Sequence, residues 1–332
     1  MATSQNSQGR IDTHQHFIPP VWASYLDRKG YLESRNTPRP VWSPQAALHT
    51  LDRLAISTAI VSVSRPGIYL GSVSDARSLA VDINDFAAAL KREFPGRFGF
   101  FGVVPFPDVD ASLAEAERCL DQLGASGIVL LTNVAGHYLG DPVYDPLLQE
   151  LDRRGSVLFV HPTMPPVELV AGIPPFVVDF LLDTTRAAIN MVRAGVPRRY
   201  KNLRIILSHG GGFVPYVAER IAQVQPAEPG QERDPEAMMA GLRSFYFDTA
   251  LTGGGPTLSA LREFAGADKV LFGSDWPYAP GTSAEYFTDL LDKSVSADDA
   301  AAINRGNAVR LFPEFDRARI EPPTIRMNES ST

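Results

Sequence analysis

Apolar residues along this chain gather in eight short, nearly continuous runs, separated by longer stretches in which they recur every three or four positions. The runs are RIDTHQHF (10–17), ISTAIVSVS (56–64), RFGFFGVVPF (97–106), GIVLLTN (127–133), SVLFVHP (156–162), RIILSHG (204–210), FYFDTAL (245–251) and KVLFGSDWP (269–277). Rich in β-branched and aromatic residues, they read as strands covered on both faces, the pattern of a parallel sheet enclosed by helices. The intervening stretches read as amphipathic helices. In SPQAALHTLDRL, for example, Ser43 stands as N-cap before Pro44 at the first helical position. Strands alternating with helices predict parallel β/α units.

Eight such units close into one α/β domain, a (β/α)₈ TIM barrel, with residues 1–332 forming a single domain and 10–315 the barrel itself. A doubly wound open sheet is the alternative. Its ligands cluster at one switch point, whereas the ligand-capable residues here end strands 1, 5, 6 and 8, so the barrel is preferred. The stretch after strand 1, residues 18–42, mixes Pro, Arg and aromatics and reads as an inserted lid. QPAEPGQERDPE reads as a surface loop. Beyond Pro313 periodicity is lost, and 316–332 reads as an arm or a disordered tail.

Length and composition agree with an enzyme of this build: 332 residues, 44% of them hydrophobic, suffice for one large barrel core. The formal charge of −7 leaves no basic stripe for phosphates, which excludes nucleic acid and disfavours an acidic membrane surface. The single cysteine, Cys119, lies in a helical pattern, cannot form an internal disulfide and reads as packing in a reducing compartment. The N-terminus lacks an apolar targeting segment, and no run approaches the ~20 residues of a membrane helix. A soluble cytoplasmic protein is expected.

The candidate chemistry lies at the ends of the strands. His14, His16, His161, His209 and Asp275 each close a strand-like run, and in a barrel the carboxyl ends of the strands carry the active site. Period-2 alternation sends His14 and His16 to the same side. Neutral imidazoles with a carboxylate suit Zn²⁺, with Mn²⁺ as the second choice, and leave positions open for substrate. Strand 4 ends Leu130, Leu131, Thr132, Asn133, without the lysine that a second metal would need. One divalent metal and no organic cofactor are therefore expected. For His209 the following Gly210, Gly211 and Gly212 leave open a plainer role in a tight turn.

At these residues the chain resembles the amidohydrolase superfamily, in particular its mononuclear branch of aminocarboxymuconate-semialdehyde and salicylate-type decarboxylases. The resemblance covers about residues 10–315 and rests on His-Gln-His after strand 1, LDRLAISTAIVSVS, HPTMPP, LSHGGGFVPY and FGSDWPY. The IPPF…DFLLDTTRAA stretch looks most like 6-methylsalicylate decarboxylases. By this resemblance His14, His16, His161 and Asp275 bind the metal and His209 stays beside it. The implied reaction is metal-dependent, non-oxidative loss of carbon dioxide from a small salicylate-like acid. Asp275 and His209 are the two candidates for delivering the ring proton, with Asp275 preferred and His209 assisting. A lactone or ester hydrolase is the alternative chemistry, an aminocarboxymuconate-semialdehyde-type decarboxylase a near relative, and a silent metal-binding barrel a third class. A homo-oligomer, in the form of a dimer, is expected.

Around this centre, Arg65 after strand 2 can fork onto a substrate carboxylate or make a loop ion pair. Phe17 and Trp276 are expected to wall an aromatic ring, with Tyr278 a further aromatic beside the ligands. Asp248, ending strand 7, can orient a substrate hydroxyl or a ligand. Arg186 is carried as a substrate contact, its plain alternative being an i,i+3 pair with Asp183. His49 reads as solvated on its helix. His137 lies either on the surface or in the pocket.

Overall fold

The computed structural model describes residues 9–31, 39–227, 230 and 232–316. All eight apolar runs contain a strand: β1 Arg10–His16, β2 Ile56–Ser62, β3 Phe98–Val103, β4 Gly127–Leu131, β5 Val157–His161, β6 Arg204–Leu207, β7 Tyr246–Asp248 and β8 Val270–Leu271. They form one sheet in sequential order, and each paired neighbour runs parallel. The ring is completed between β1 and the residues after β8. Thr13 N–H donates to the Phe272 carbonyl (2.9 Å), Asp275 N–H to the His14 carbonyl (2.8 Å), and His16 N–H to the Trp276 carbonyl (2.7 Å). This is the (β/α)₈ barrel of the amphipathic pattern.

Local chemistry explains the joints. Ser43 Oγ accepts from Ala46 N–H and Pro44 opens the helix Pro44–Arg53, as their residue types predict. Inside the barrel Phe101 stacks on Phe159 at 5.1 Å, and Phe312 closes on Phe101 from below at 5.9 Å. Gly102 in β3 has a steric reason: a Cβ there would lie 2.7 Å from Cys119 Sγ. Cys119 is thus a packed core residue, wholly buried, and burial pushes its thiol pKa far up.

The insertion after β1 supplies the helix Pro20–Arg28, whose Trp22, Tyr25 and Leu26 are buried, so this part packs onto the barrel. Residues 32–38 of that insertion lie outside the described residues. Pro313–Phe315 forms a 3₁₀ turn, and Phe315 is buried against Gly99 of β3. Residues 317–332 lie outside the described residues. Among the described residues, no helix is long and apolar enough to cross a membrane.

Candidate metal centre

His14, His16 and His161 are carried to the barrel mouth by β1 and β5, and His209 and Asp275 lie in the turns that follow β6 and β8. One ligand atom from each of His14, His161, His209 and Asp275 lies within 4.8 Å of all the others. His16 joins them: its Nε2 is 3.1 Å from His14 Nε2 and 3.1 Å from Asp275 Oδ1. Phe159 floors the cluster, its ring edge-on to His14 at 5.0 Å. All five side chains are buried.

The anchoring of the rings decides what the cluster can hold. His14 Nδ1 faces Asp248 Oδ2 at 2.8 Å, His16 Nδ1 the Ser62 carbonyl at 3.1 Å, and His161 Nδ1 the Pro162 carbonyl at 2.8 Å. Each of these partners accepts, so each Nδ1 carries its hydrogen and each Nε2 is turned to the common point. Imidazoles fixed in this way by a carboxylate or carbonyl behind them are what a divalent cation requires. The donor set, nitrogen with one carboxylate, fits such an ion.

Electrostatics follow from burial and from the two carboxylates. Burial depresses His14, but Asp248 and Asp275 outweigh it and lift its pKa to about 10. His16 and His161 are lowered by the same burial, which their other partners do not offset. Burial raises Asp275, yet hydrogen bonds from His14, His16 and His209 hold it well below the usual carboxylate range. Its two oxygens face different groups: Oδ1 is 3.3 Å from His14 and 3.1 Å from His16, whereas Oδ2 is 3.4 Å from His209.

His209 stands apart from the other rings. Its Nδ1 is buried without a hydrogen-bond partner, and its backbone N–H donates to Asp248 Oδ1 at 2.9 Å. Both His209 and Asp275 have positive φ, 52° and 57°, a conformation costly for residues with a Cβ and concentrated at functional sites. Gly210, Gly211 and Gly212 continue the positive φ after His209, and a Cβ on Gly212 would lie 2.1 Å from the Leu181 carbonyl oxygen. The glycines do make the tight turn, and that turn presents the imidazole to Asp275.

The residues expected around the centre divide. Asp248, fully buried, faces His14 Nδ1 and holds the backbone of His209 and Ala250, so its contacts are with the cluster itself. Phe17 is not brought to the mouth. Being the next residue after His16 on a pleated strand, it points the other way and packs 6.2 Å from both Trp42 and Phe86. Tyr278 lies closer to the chemistry, its ring edge-on to His16 at 5.4 Å. Arg65 is buried at the catalytic end, 5.0 Å over the Phe180 ring, and donates to Tyr31 Oη at 2.7 Å. Trp276 is buried next to Asp275.

The anticipated Asp183–Arg186 pair is corrected. Both lie on the helix Asp179–Arg193, but Asp183 is buried and Arg186 exposed, and among the described residues no ion pair joins them. Asp183 instead accepts from Thr132, Asn133, Tyr138 and the Thr163 backbone N–H. His49 is exposed, as its helix position predicts. His137 is also on the surface, 3.0 Å from Asp141. Sequence reasoning missed Asp12. It is fully buried, tied to Ser274 Oγ at 2.6 Å and to His14 N–H, and burial raises its pKa to about 6. Its place two residues before a ligand was the available signal.

Comparison with known proteins agrees with this geometry. The family model described as Amidohydrolase matches residues 11–313. A 6-methylsalicylic acid decarboxylase of Penicillium expansum is 35% identical over 323 residues, spanning 94% of this chain and 99% of the relative. A 2-amino-3-carboxymuconate-6-semialdehyde decarboxylase of Dictyostelium discoideum is 28% identical over 302 residues, 82% of each chain. Among solved structures, a 2,6-dihydroxybenzoate decarboxylase complexed with 2,6-dihydroxybenzoate has a TM-score of 0.75 at 25% identity, over 92% of this chain and 99% of the other.

Proposed function

The chain belongs to the amidohydrolase family, and we propose that it is a metal-dependent, non-oxidative decarboxylase of a small salicylate-like acid, of the 6-methylsalicylate type. The observation that carries this reading is the set of three imidazoles, each anchored through Nδ1, of which His14 and His16 turn Nε2 to one oxygen of Asp275, with His161 beside them and His209 on the other oxygen of the same carboxylate. Relatives that match nearly the whole chain are decarboxylases of aromatic acids.

We assign His14, His16, His161 and Asp275 to the metal, Zn²⁺ first and Mn²⁺ second, with no organic cofactor. These four side chains would hold the ion, which would supply a Lewis acid for the anionic oxygens of the substrate. Asp275, ionised at rest, takes a proton from His209, 3.4 Å from its Oδ2, and passes it to the ring carbon that bears the carboxylate. The bond to the carboxylate then breaks, its electron pair restores the aromatic ring, and carbon dioxide leaves. One proton is consumed for each carbon dioxide released. Arg65, Trp276 and Arg186, joined by Tyr278, are assigned to the substrate, with the buried guanidinium of Arg65 placed for an anionic group.

A second copy of the chain is the remaining element of this reading. The loop after β5 exposes Val170 (68%), Phe176 (47%), Val177 (53%) and Val178 (42%) within nine residues, an apolar surface that an isologous dimer would cover. The lone buried Cys119 agrees with a cytoplasmic location.

The test uses a panel of hydroxybenzoates and lactones with the metal-loaded enzyme in deuterated water. A 2-hydroxybenzoate is expected to release carbon dioxide without oxygen, nicotinamide or flavin, and to carry deuterium where the carboxylate was. Its O-methyl ether is expected to be inert, because chelation through that oxygen positions the ring. Inertness toward every hydroxybenzoate, with lactones opened to acids, overturns the reading in favour of a hydrolase.

A further inference from the structure

Three imidazoles face the centre, and they are backed differently. His14 rests on a carboxylate, Asp248, and His16 on the Ser62 carbonyl. His161 rests on the carbonyl of its own neighbour Pro162, at 2.8 Å, and that carbonyl belongs to the peptide plane joining Pro162 to Thr163. A peptide plane is rigid, so whatever holds its N–H end also fixes the direction of its C=O end. The Thr163 N–H donates to Thr132 Oγ1 at 3.2 Å and to Asp183 Oδ2 at 3.3 Å.

Asp183 is wholly buried on the helix after β5 and gathers donors from three segments. The Thr132 hydroxyl donates to Oδ2, the Tyr138 hydroxyl to Oδ1, and the Asn133 amide reaches both oxygens at 3.2 and 3.3 Å. Burial pushes its pKa up, and these donors only partly restore it. An amide N–H can only donate, so two of the four groups require an acceptor here. A carboxylate at the N–H end of a peptide strengthens the acceptor at the C=O end, because hydrogen bonds in a chain polarise one another.

We propose that Asp183 is a positioning residue for the metal centre: through the Pro162–Thr163 peptide it keeps the Nδ1 of His161 protonated, its Nε2 free and its ring aimed at the metal. It therefore does for His161, across one peptide plane, what Asp248 does for His14 by direct contact. The proposal rests on the reading of His161 as a ligand, and it does not depend on which acid is decarboxylated.

The experiment compares wild type with Asp183→Asn, which keeps the shape and removes the charge, and with Thr132→Val, which removes one of the two acceptors of the Thr163 N–H. Metal-free protein is titrated with Mn²⁺ by calorimetry, and the ¹⁵N signals of His161 are read in the metal-free state. Asp183→Asn is expected to bind Mn²⁺ about 10–100-fold more weakly and to shift the His161 ring away from the Nδ1–H form. Its near-ultraviolet circular dichroism should remain native. Thr132→Val should change both readouts in the same direction by less, and it carries the test if Asp183→Asn does not fold. Unchanged affinity and an unchanged His161 tautomer in a folded variant overturn the proposal. If wild type turns over no hydroxybenzoate while Asp183→Asn still loses affinity, the substrate reading fails and this one stands. If wild type binds no Mn²⁺, the His161 signals alone decide it.

Discussion

Metal uptake by this protein should displace one proton at neutral pH, and that proton should come from His14. With Asp248 on Nδ1 and with Asp275 and His16 at 3.3 and 3.1 Å from Nε2, the metal-free ring is held protonated, its pKa lifted to about 10 from an ordinary 6.5. His16 and His161, depressed by burial, are already neutral, and Asp275 is already ionised. Below pH 10 the apparent affinity should rise about tenfold per pH unit, because a cation competes with one proton. Calorimetric titration with Mn²⁺ in buffers of different ionisation enthalpy counts the protons. Close to one is expected between pH 7 and pH 9. None, or two or more, would refute the electrostatic account of the centre. The same shift links to folding. A histidine raised in the folded state stabilises the metal-free protein fully below 6.5 and loses that contribution as pH rises through about 10. The contribution is on the order of 5 kcal/mol for a shift of this size. Metal-free protein should therefore melt lower at pH 9 than at pH 6.5, and metal should remove much of the difference.

Three further outcomes are expected. Asp248→Asn should weaken metal binding about 10–100-fold, since the amide can no longer both accept from His14 and hold the backbone of His209; elemental analysis after dialysis reads it. His161→Ala should lose metal and activity together, whereas His209→Ala should keep most of its metal and lose about 10²–10⁴-fold in rate; equal metal loss in both would make His209 a ligand. Val170→Glu, at the most exposed of the apolar positions after β5, should convert a dimer to a monomer by light scattering, and a wild type that is already monomeric defeats the dimer.

Much of this architecture was legible because strands 1, 5, 6 and 8 each close on a residue whose chemistry stands out from its apolar run. His161 after LFV and Asp275 after LFGS could be placed at the barrel mouth from pattern alone. What escaped the pattern was direction. Phe17 looked like a neighbour of the ligands in sequence, yet the pleat that turns His16 inward turns Phe17 outward. Asp183 and Arg186 share helix spacing, but packing buries one and exposes the other, and spacing alone does not choose between pairing and separation. Asp248 was marked without a partner, since its contact with His14 joins residues 234 apart. Pairings of that range are set by the closed ring, which no local window contains.

The seam that closes the ring passes through the centre itself. The His14 carbonyl accepts from Asp275 N–H, His16 N–H donates to the Trp276 carbonyl, and Asp12 bonds Ser274 across 262 residues of chain. During synthesis, then, the first strand emerges with His14 and His16 and must wait for most of the polypeptide before Asp275 exists. No nascent fragment short of Asp275 can assemble the site, and closing so long a loop is an entropic cost met late. An ion bound across the seam would act as a clasp between the first strand and the last. Hydrogen exchange at Thr13, His16 and Asp275 should accelerate when a chelator removes it, while the amides of β3 and β4, across the barrel, keep their protection.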